Sequence, residues 1–321
     1  MGRFNRKYLL GIAAVLVVAG GLFALVGWPG PEGNVARKQD KEPEISVFIK
    51  ETGQRTTLPM EEYIQGVVAG EMYPDWPVEA YAAQAILARS FTMELLSRGG
   101  TRAETGTDIS TDVEQAQAYN QGAITPAIKE AVERTRGEVM TYDDRYIRAW
   151  FHSYSGGQTA TAKEGLTFKE EEPPYIKSVL VPQNDYAPAD VKSWRAEFPL
   201  ADVQQALADR GVQGAIDGIQ ILEKGPTERI TKVEIVHSGG KNKVVMDGTA
   251  FRLALGADKM KSTRVSKLEV AQDMLAIEGT GYGHGVGLSQ WDAYMFAKQG
   301  KSPEEIVKFF FNDIEIQKLW D

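Results

Sequence analysis

The sequence predicts an α+β fold: an N-terminal transmembrane helix, then one mixed domain that carries an inserted β-rich lobe. Three observations support this prediction. Residues 9–28 form an uncharged run of about the 20 residues that a transmembrane helix needs. Residues 58–97 have the pattern of two helices joined by a Pro-containing elbow. Residues 175–262 contain a short helix and several strand-like segments, which predict a separate lobe.

The composition limits both the core and the class of function. A chain of 321 residues can bury one large hydrophobic core or two smaller ones. The net charge of −8 makes a broad nucleic-acid-binding surface unexpected. The absence of cysteine rules out disulfides, thiolate catalysis and cysteine-ligated metal sites.

The uncharged run ends at Trp28 and is preceded by basic residues without any acidic residue. Because positive flanks stay on the cytoplasmic side, the chain after this run is predicted to lie outside the cell membrane. A cleaved signal peptide is the alternative, but its apolar region is usually about 7–15 residues long and ends at small residues. Trp28-Pro29 stands where cleavage would occur, so the sequence favours an uncleaved anchor. The basic residues are Arg3, Arg6 and Lys7.

These features predict a single-pass membrane protein with an extracytoplasmic domain. The predicted parts are a cytoplasmic tail at 1–8, the anchor at 9–28, a linker at 29–44 rich in Pro, Gly and charged residues, and a mixed domain at 45–321. Residues 175–262 form the β-rich lobe within that domain.

The first helix of the 58–97 stretch carries a carboxylate on its apolar face. Ile64, Val67 and Val68 are spaced i, i+3 and i+4, and Glu71 takes the next position on that face. Pro74 then ends the helix. Apolar shelter raises the pKa of a carboxyl group, and a general acid near neutral pH needs such a raised pKa. The alternative is a solvent-exposed Glu where the apolar stripe ends.

Local patterns predict the remaining elements. Alternating apolar and polar residues indicate strands, and Pro at the start or Gly after the end marks helices. The polar stretch 99–121 is predicted to be an ordered loop or a substrate rim. The predicted strands are 45–50, 137–143, 146–151, 218–223, 230–237, 243–246 and 268–278. The predicted helices are 77–98, 126–136, 200–210, 251–255, one ending at 298, and 303–311.

A glycine-rich loop at 279–291 follows the last predicted strand. It has neither the Lys-Ser/Thr ending of a P-loop nor the spacing of a dinucleotide fingerprint, so no nucleotide cofactor is expected. Alternate glycines indicate backbone that comes close to another group or adopts positive φ. His284, in the middle of this loop, either lines a cleft or sits exposed on a tight turn.

The three histidines, His152, His237 and His284, do not form a metal motif. No pair has the spacing of helical zinc ligands, so no metal is predicted. Serine catalysis could combine His152 or His284 with a nearby hydroxyl, but the chain has no GxSxG elbow. The candidate serines are Ser153, Ser155 and Ser289.

Three segments together resemble the SpoIID/LytB family: GVVAGEMYPDWPVEAYAAQAILARSF at 66–91, FHSYSGGQT at 151–159 and GYGHGVGLSQWDA at 281–293. The resemblance implies a peptidoglycan lytic transglycosylase that cleaves glycan strands stripped of their stem peptides. It also implies action at the sporulation septum during engulfment, with a SpoIIP-like amidase and a SpoIIM-like membrane protein as partners. In this family the protein also stimulates the amidase.

The resemblance implies a role for individual residues. Glu71 aligns with the catalytic acid/base of the family, and other polar residues in the three segments are expected to hold the sugar. Some relatives bind zinc through a Cys/His cluster, but the corresponding loop here, DISTDVEQAQAY, has neither residue. Asp292 stands where Gly is common, and Ser90-Phe91 where Thr-Tyr is common. The expected sugar-binding residues are His152, Ser153, Ser155, Gln158, His284, Ser289 and Gln290, and the expected orienting residues are Gln84, Arg89 and Tyr119.

The motifs contain a single candidate carboxylate. Glycoside hydrolysis normally uses two, whereas a lytic transglycosylase lets the C6 hydroxyl of the sugar attack C1 and needs only one. The sequence therefore favours transglycosylation. Two alternatives are a glycan-binding scaffold that activates an amidase, and a serine amidase that uses Ser153 or Ser289.

Overall fold

A computed structural model describes residues 35–321. The predicted tail at 1–8 and anchor at 9–28 lie outside the described residues. Among the residues that are described, no helix is long and apolar enough to cross a membrane.

The described chain contains helices and mainly antiparallel sheets, which confirms the predicted mixed α+β class. It divides into two compact units. The first unit comprises residues 35–151, 174–177 and 290–321, and the second comprises residues 152–173 and 178–289.

The first unit is built around the buried helix Val78–Ser97. Its alanines are almost inaccessible to solvent and let other elements approach closely, and polar residues such as Gln84 and Arg89 are buried with them. Pro77 is its N-cap and Arg98 its C-cap, so the predicted helix 77–98 is confirmed with each end shifted by one residue. The helices packed against it are Met60–Glu71, Pro126–Arg134, Gln290–Lys298 and Pro303–Phe310.

One sheet of the first unit begins with the strand Glu44–Ile49. It pairs antiparallel with Gln54–Pro59, with Ile45 opposite Leu58. On its other edge it pairs in parallel with Ile109–Ser110. The predicted strand at 45–50 is therefore confirmed, with each end shifted by one residue.

A second sheet has Glu138–Tyr142 at its centre, between Glu315–Lys318 and the short strand Arg145–Tyr146. The predicted hairpin turn at Asp143-Asp144 is confirmed, because both residues have positive φ of 48° and 57°, as a tight hairpin turn requires. The second strand was predicted to reach residue 151, which is wrong: regular pairing stops at Tyr146.

The second unit contains an antiparallel sheet of Ile216–Lys224, Ile230–His237 and Asn242–Asp247. The helices Leu200–Leu207 and Gly248–Leu255 pack with it in a common hydrophobic core. All five elements correspond to predicted ones, with boundaries that differ by up to three residues.

A second sheet of this unit corrects the prediction of one strand at 268–278. Two strands, Val265–Ala271 and Met274–Gly279, form a hairpin here, and Trp194–Pro199 pairs with the second of them. The turn is at Gln272-Asp273, where φ is 52° and 61°. The prediction was wrong because only one residue of this turn, Asp273, is of a type that usually marks a turn.

Short elements complete the described chain. They are the helices Arg102–Thr105, Ala162–Leu166 and Ala189–Lys192, the 3₁₀ turns Gln121–Ala123 and Ala208–Arg210, and the two-residue strands Phe151–His152 and Leu288–Ser289.

Candidate functional site

Glu71 is the last residue of the helix Met60–Glu71. Met72 is already extended, with φ −123°, as expected for a helix that stops just before Pro74. The side chain of Glu71 is 6% exposed, and its Oε1 accepts a hydrogen bond of 2.7 Å from the backbone N–H of Ala118. The carboxyl group is therefore buried rather than exposed at the helix end.

Two glycines one helical turn apart allow the segment 118–120 to cover this helix. A Cβ on Gly66 would lie 2.1 Å from the ring of Tyr119, and a Cβ on Gly70 would lie 2.7 Å from the backbone of Ala118. The N–H of Asn120 also donates to the carbonyl of Gly66 at 2.8 Å. The polar stretch predicted as an ordered loop thus supplies main chain that excludes water from Glu71.

Burial raises the pKa of Glu71 from 4.5 to about 8, and the hydrogen bond from Ala118 lowers it by less. Loss of hydration disfavours the charged carboxylate, while a donated hydrogen bond favours it. The carboxyl group is therefore mostly protonated at pH 7 and can donate a proton. This is the property that a general acid requires.

Gln290 and Gln84 lie next to Glu71. The Nε2 of Gln290 donates to the backbone carbonyl of Glu71 at 3.2 Å, and it lies 3.5 Å from the Oε1 of Gln84. The first contact satisfies a carbonyl that the end of the helix leaves unpaired. Gln84 Nε2 is buried and has no hydrogen-bond partner in the described part of the chain. Gln84, Gln290 and Tyr119 therefore lie around the helix end that carries Glu71.

Tyr63, which sequence reasoning missed, belongs to the same surroundings. Its ring stacks on that of Tyr119 with centroids 5.7 Å apart, and its buried hydroxyl has no partner among residues 35–321. Burial, then Tyr119 and Glu71, raise the pKa of Tyr63 above its usual range. Its position eight residues before Glu71, on the same helix face, is the signal that could have identified it.

The elbow after Glu71 is held in one conformation by Tyr81. The hydroxyl of Tyr81 donates to the carbonyl of Tyr73 at 2.8 Å and accepts from the N–H of Trp76 at 3.0 Å. Asp75 between them has φ of 69°, a strained value for a non-glycine residue. The elbow is therefore a fixed turn.

Four aromatic rings form a cluster at this elbow, here called the aromatic cluster: Tyr73, Trp76, Trp291 and Tyr294. The Trp76 and Trp291 centroids are 4.7 Å apart, and Tyr73 lies 5.7 Å from Trp291. Trp76 is buried, whereas the other three are half-buried. Trp291 and Tyr294 follow Gln290 in the same helix, and their place beside the elbow was not predicted because the elbow lies more than 200 residues away in sequence.

Arg89, predicted to orient the site, belongs to a different buried cluster. Its guanidinium binds the carboxylate of Glu61 through Nε at 3.0 Å and Nη2 at 2.6 Å. Glu61 also accepts hydrogen bonds from the N–H of Gly137 and the indole N–H of Trp320. These contacts tie together distant parts of the first unit, so an influence of Arg89 on Glu71 stays a prediction.

In the second unit, His152 and His284 have their ring centroids 5.6 Å apart. Nδ1 of the buried His152 donates to the carbonyl of Val286 at 3.1 Å, which leaves its Nε2 as an acceptor. Nδ1 of His284 accepts from the N–H of Val286 at 3.0 Å, which makes its Nε2 the protonated nitrogen. Burial, then His284 and Arg229, lower the pKa of His152 well below its usual value, so this ring is neutral.

The predicted serines support the backbone of the same loops. The hydroxyl of Ser289 accepts from the N–H of Ser155 at 3.0 Å, and the hydroxyl of Ser155 accepts from the N–H of Gly157. Ser153, two residues before Ser155, is also buried. Gln158 is half-buried, and its amide donates to Ser178 at 3.2 Å.

These contacts give no support to serine catalysis through His152. Its Nε2 has no hydrogen-bond partner within the described chain, and its Nδ1 is committed to a backbone carbonyl. His237, the third histidine, binds the carbonyl of Gln213 at 2.6 Å. Among the described residues, no three His, Cys, Asp or Glu side chains converge as ligands for a metal.

Comparison with known families gives two matches. The model of the SpoIID family, described as stage II sporulation protein, matches residues 49–142. A domain of unknown function, DUF8618, matches residues 143–287.

Curated relatives match most of the chain. A stage II sporulation protein D of Bacillus subtilis is 30% identical over 87% of this chain and 80% of its own. An uncharacterized protein of Brachyspira hyodysenteriae is 30% identical over 81% of this chain and 67% of its own. An amidase enhancer of Bacillus subtilis is 26% identical over 77% of this chain and 39% of its own.

Proposed function

The chain belongs to the SpoIID family, and from this premise we propose that it is a peptidoglycan lytic transglycosylase with Glu71 as its catalytic acid/base. The observation that carries the proposal is a buried carboxyl group whose pKa is raised to about 8. A carboxyl group in this state holds its proton at neutral pH and can transfer it to a substrate oxygen.

The proposed reaction consumes no water. Glu71 donates its proton to the oxygen of the bond between MurNAc and GlcNAc, and the bond from that oxygen to C1 of MurNAc breaks. The C6 hydroxyl of the same MurNAc then attacks C1 and gives up its proton to the Glu71 carboxylate. The products are a 1,6-anhydro-MurNAc end and a free GlcNAc hydroxyl, and Glu71 is protonated again.

The surroundings of Glu71 favour this reaction over hydrolysis. Hydrolases place a second carboxylate about 5–9.5 Å from the acid. Burial and the Ala118 hydrogen bond account for the pKa of Glu71, so its acid form does not depend on a second carboxylate. A single carboxyl group that acts first as acid and then as base is therefore the simpler interpretation.

The groups next to Glu71 suit a glycan. Aromatic rings offer flat apolar faces to the apolar face of a sugar ring, and the half-buried members of the aromatic cluster lie within a few residues of Glu71 and Gln290. The buried Nε2 of Gln84 and hydroxyl of Tyr63 lack partners in the described chain, so substrate oxygens could satisfy them. We propose that the half-buried His284 and Gln158 of the second unit also bind glycan, and that the buried His152, Ser155 and Ser289 hold the loops that present them.

The proposed setting is the sporulation septum. We propose that residues 9–28 anchor the chain in the cell membrane, that the enzyme domain acts outside it, and that it degrades septal wall during engulfment. Similarity to an amidase enhancer supports an amidase as partner, in a complex with a SpoIIP-like amidase and a SpoIIM-like membrane protein. Removal of stem peptides by that amidase would supply the stripped strands.

A second candidate function is a glycan-binding scaffold that activates the amidase without cleaving glycan itself. The observation in its favour is the 26% identity to the amidase enhancer over 77% of this chain. The two functions differ in whether loss of the Glu71 carboxyl group changes the products.

The decisive experiment incubates full-length protein with peptidoglycan, before and after enzymatic removal of stem peptides, and weighs the products by mass spectrometry. We expect products one water lighter than hydrolysis products, made from stripped strands. Glu71→Gln should slow their formation by about 10²–10⁴-fold, the usual contribution of a general acid. Glu104→Gln, which changes an exposed Glu of the same unit, should have no effect.

Other products would contradict the proposal. Reducing ends of full mass would identify a hydrolase. An absence of cleavage, with amidase activity still stimulated by both wild type and Glu71→Gln, would favour the scaffold.

A further inference from the structure

Two arginines of the second unit hold the turn Ser155–Gln158, which contains the predicted sugar-binding residues. Nη2 of Arg229 donates to the carbonyls of Ser155 and Gln158, each at 2.9 Å. Nη1 of Arg264 donates to the carbonyl of Gly156 at 2.5 Å. Three backbone carbonyls of this turn thus accept hydrogen bonds from two guanidinium groups. Neither arginine belongs to one of the three motifs.

Arg229 is enclosed by the surrounding backbone. Its side chain is among the largest fully buried ones, with 1% exposure, and its Nη1 donates to Thr227 Oγ1 at 2.7 Å. A Cβ on Gly285 would lie 2.5 Å from Nη2, so the glycine loop passes directly over the guanidinium. Burying a guanidinium charge is costly, and an apolar side chain of similar volume could fill the same space. The presence of an arginine at this position therefore needs an explanation.

Neither guanidinium has a carboxylate as hydrogen-bonding partner in the described chain. Glu164 attracts both guanidinium groups, but its Oε1 accepts hydrogen bonds from the backbone N–H groups of Thr227 and Arg229. Burial, followed by repulsion from Arg264, lowers the pKa of Arg229 to about 10. Glu164 and Glu228 attract Arg264 from a distance, but none of the hydrogen bonds described for the two guanidinium groups uses up the fork of Arg264, which stays available to an anion.

Arg264 is the member of the pair that a ligand can reach. It is half-buried, and its hydrogen bond to Gly156 uses one of its five N–H donors. Its guanidinium makes no other hydrogen bond to residues 35–321. The planar fork of an arginine matches a carboxylate in two parallel hydrogen bonds, so the remaining donors fit a carboxylate better than a neutral hydroxyl.

We propose that Arg264, supported by the charge of Arg229, binds the lactyl carboxylate of MurNAc. This inference rests on the proposed function. While a stem peptide is attached, the lactyl group is part of a neutral amide; after an amidase removes the peptide, it is a free carboxylate. Arg264 is therefore a specificity residue that distinguishes stripped glycan from peptide-bearing glycan by charge.

The experiment measures binding to two glycans that differ only in that carboxylate. Full-length protein carrying Glu71→Gln, which prevents turnover, is titrated with stripped glycan and with the same glycan after its lactyl carboxylates are converted to methyl amides. We expect the dissociation constant to be about tenfold lower for the carboxylate form at low salt, which corresponds to about 1.4 kcal/mol. High salt should reduce the difference.

Substitutions assign the effect to Arg264. Arg264→Gln should abolish the preference for the carboxylate, and Arg264→Lys should retain part of it, because an ammonium keeps the charge without the fork. Arg210→Gln removes an exposed positive charge from the same unit and should leave the preference unchanged. Circular dichroism and melting temperature check that each variant is folded.

The outcomes separate this inference from the proposed function. Equal affinity for both glycans, with cleavage of stripped glycan by the wild type, would overturn the role of Arg264 and leave the lytic activity standing. A preference that survives in folded Arg264→Gln would do the same. Failure to bind either glycan, together with absence of cleavage, would overturn both proposals.

Discussion

Glu71 owes its chemistry to the groups that surround it rather than to an adjacent charge. Its carboxyl group is buried, and within residues 35–321 it accepts a hydrogen bond from the N–H of Ala118. Of these two effects burial is the larger, so the pKa rises to about 8. The residue therefore keeps its proton through the neutral range and loses it in mildly alkaline solution.

The pH dependence of glycan cleavage should report this pKa. The protonated carboxyl group is the active form, so we expect the rate to stay level up to about pH 8 and to fall about tenfold per pH unit above it. The measurement is initial rate against pH on stripped glycan. A decline that begins near pH 4.5, the ordinary value, would contradict a buried acid.

The pH dependence of the free energy of unfolding provides an independent test of the same pKa. The folded protein holds a proton on Glu71 that the unfolded chain releases above pH 4.5. The free energy of unfolding contributed by this group should therefore fall as pH rises from 4.5 to about 8 and stay constant above that. Glu71→Gln should lack this decline, which chemical denaturation at several pH values would reveal.

At the level of elements, the segment 118–120 can pack closely against the helix Met60–Glu71 because two residues of that helix are glycines. Gly66 accommodates the ring of Tyr119 and Gly70 the backbone of Ala118. Glycine lowers helix stability by about 1 kcal/mol relative to alanine, so these glycines are favourable only because the loop packs against them. The close approach of that loop is also what keeps water from Glu71.

Alanine normally stabilises a helix relative to glycine, but at these two positions it should destabilise the protein. We expect Gly66→Ala and Gly70→Ala to destabilise the protein by about 1–3 kcal/mol, the typical result of overpacking, and to lower the pKa of Glu71 as the loop moves away. Gly218→Ala, at a position where a Cβ meets nothing within 4 Å, is the matched control. Urea unfolding and the pH–rate profile measure both effects. Higher stability for Gly66→Ala with an unchanged pH profile would show that the loop does not enclose the carboxyl group.

At the level of the whole molecule, the first unit is discontinuous in sequence. Glu61 binds Arg89, the N–H of Gly137 and the indole of Trp320, so one buried carboxylate joins parts of the chain more than 250 residues apart. A buried carboxylate is tolerated only when its hydrogen bonds are all made.

Trp320→Phe should accordingly destabilise the first unit by about 1–3 kcal/mol, the cost of leaving a buried acceptor with one bond fewer. Trp194→Phe is the matched control, because its indole N–H is buried and has no partner among the described residues. Urea unfolding of both variants, compared with wild type, measures the difference. A loss for Trp194→Phe as large as that for Trp320→Phe would mean that lost packing, and not the hydrogen bond to Glu61, sets the cost.

Features set by residues that are close in sequence could be predicted, whereas contacts between residues far apart in sequence could not. The helix ends at Glu71 and Arg98 and the Asp143-Asp144 turn were predictable, since local residues determine them. The hairpin at Gln272-Asp273 was missed because its turn is marked by a single Asp, whereas the turn at Asp143-Asp144 is marked by two. Arg229 was missed because its partners, Ser155 and Gln158, lie more than 70 residues away and no local pattern marks such a contact.

The bond between Glu61 and Trp320 also has a consequence for the order of events during synthesis. Ribosomes make the whole second unit after Glu61 and before Trp320, so the first unit cannot complete its buried carboxylate cluster until late in translation. The helix Met60–Glu71, which carries both Glu61 and Glu71, belongs to that unit. We therefore expect a nascent chain stalled before Trp320 to hold a folded second unit beside an incomplete first one.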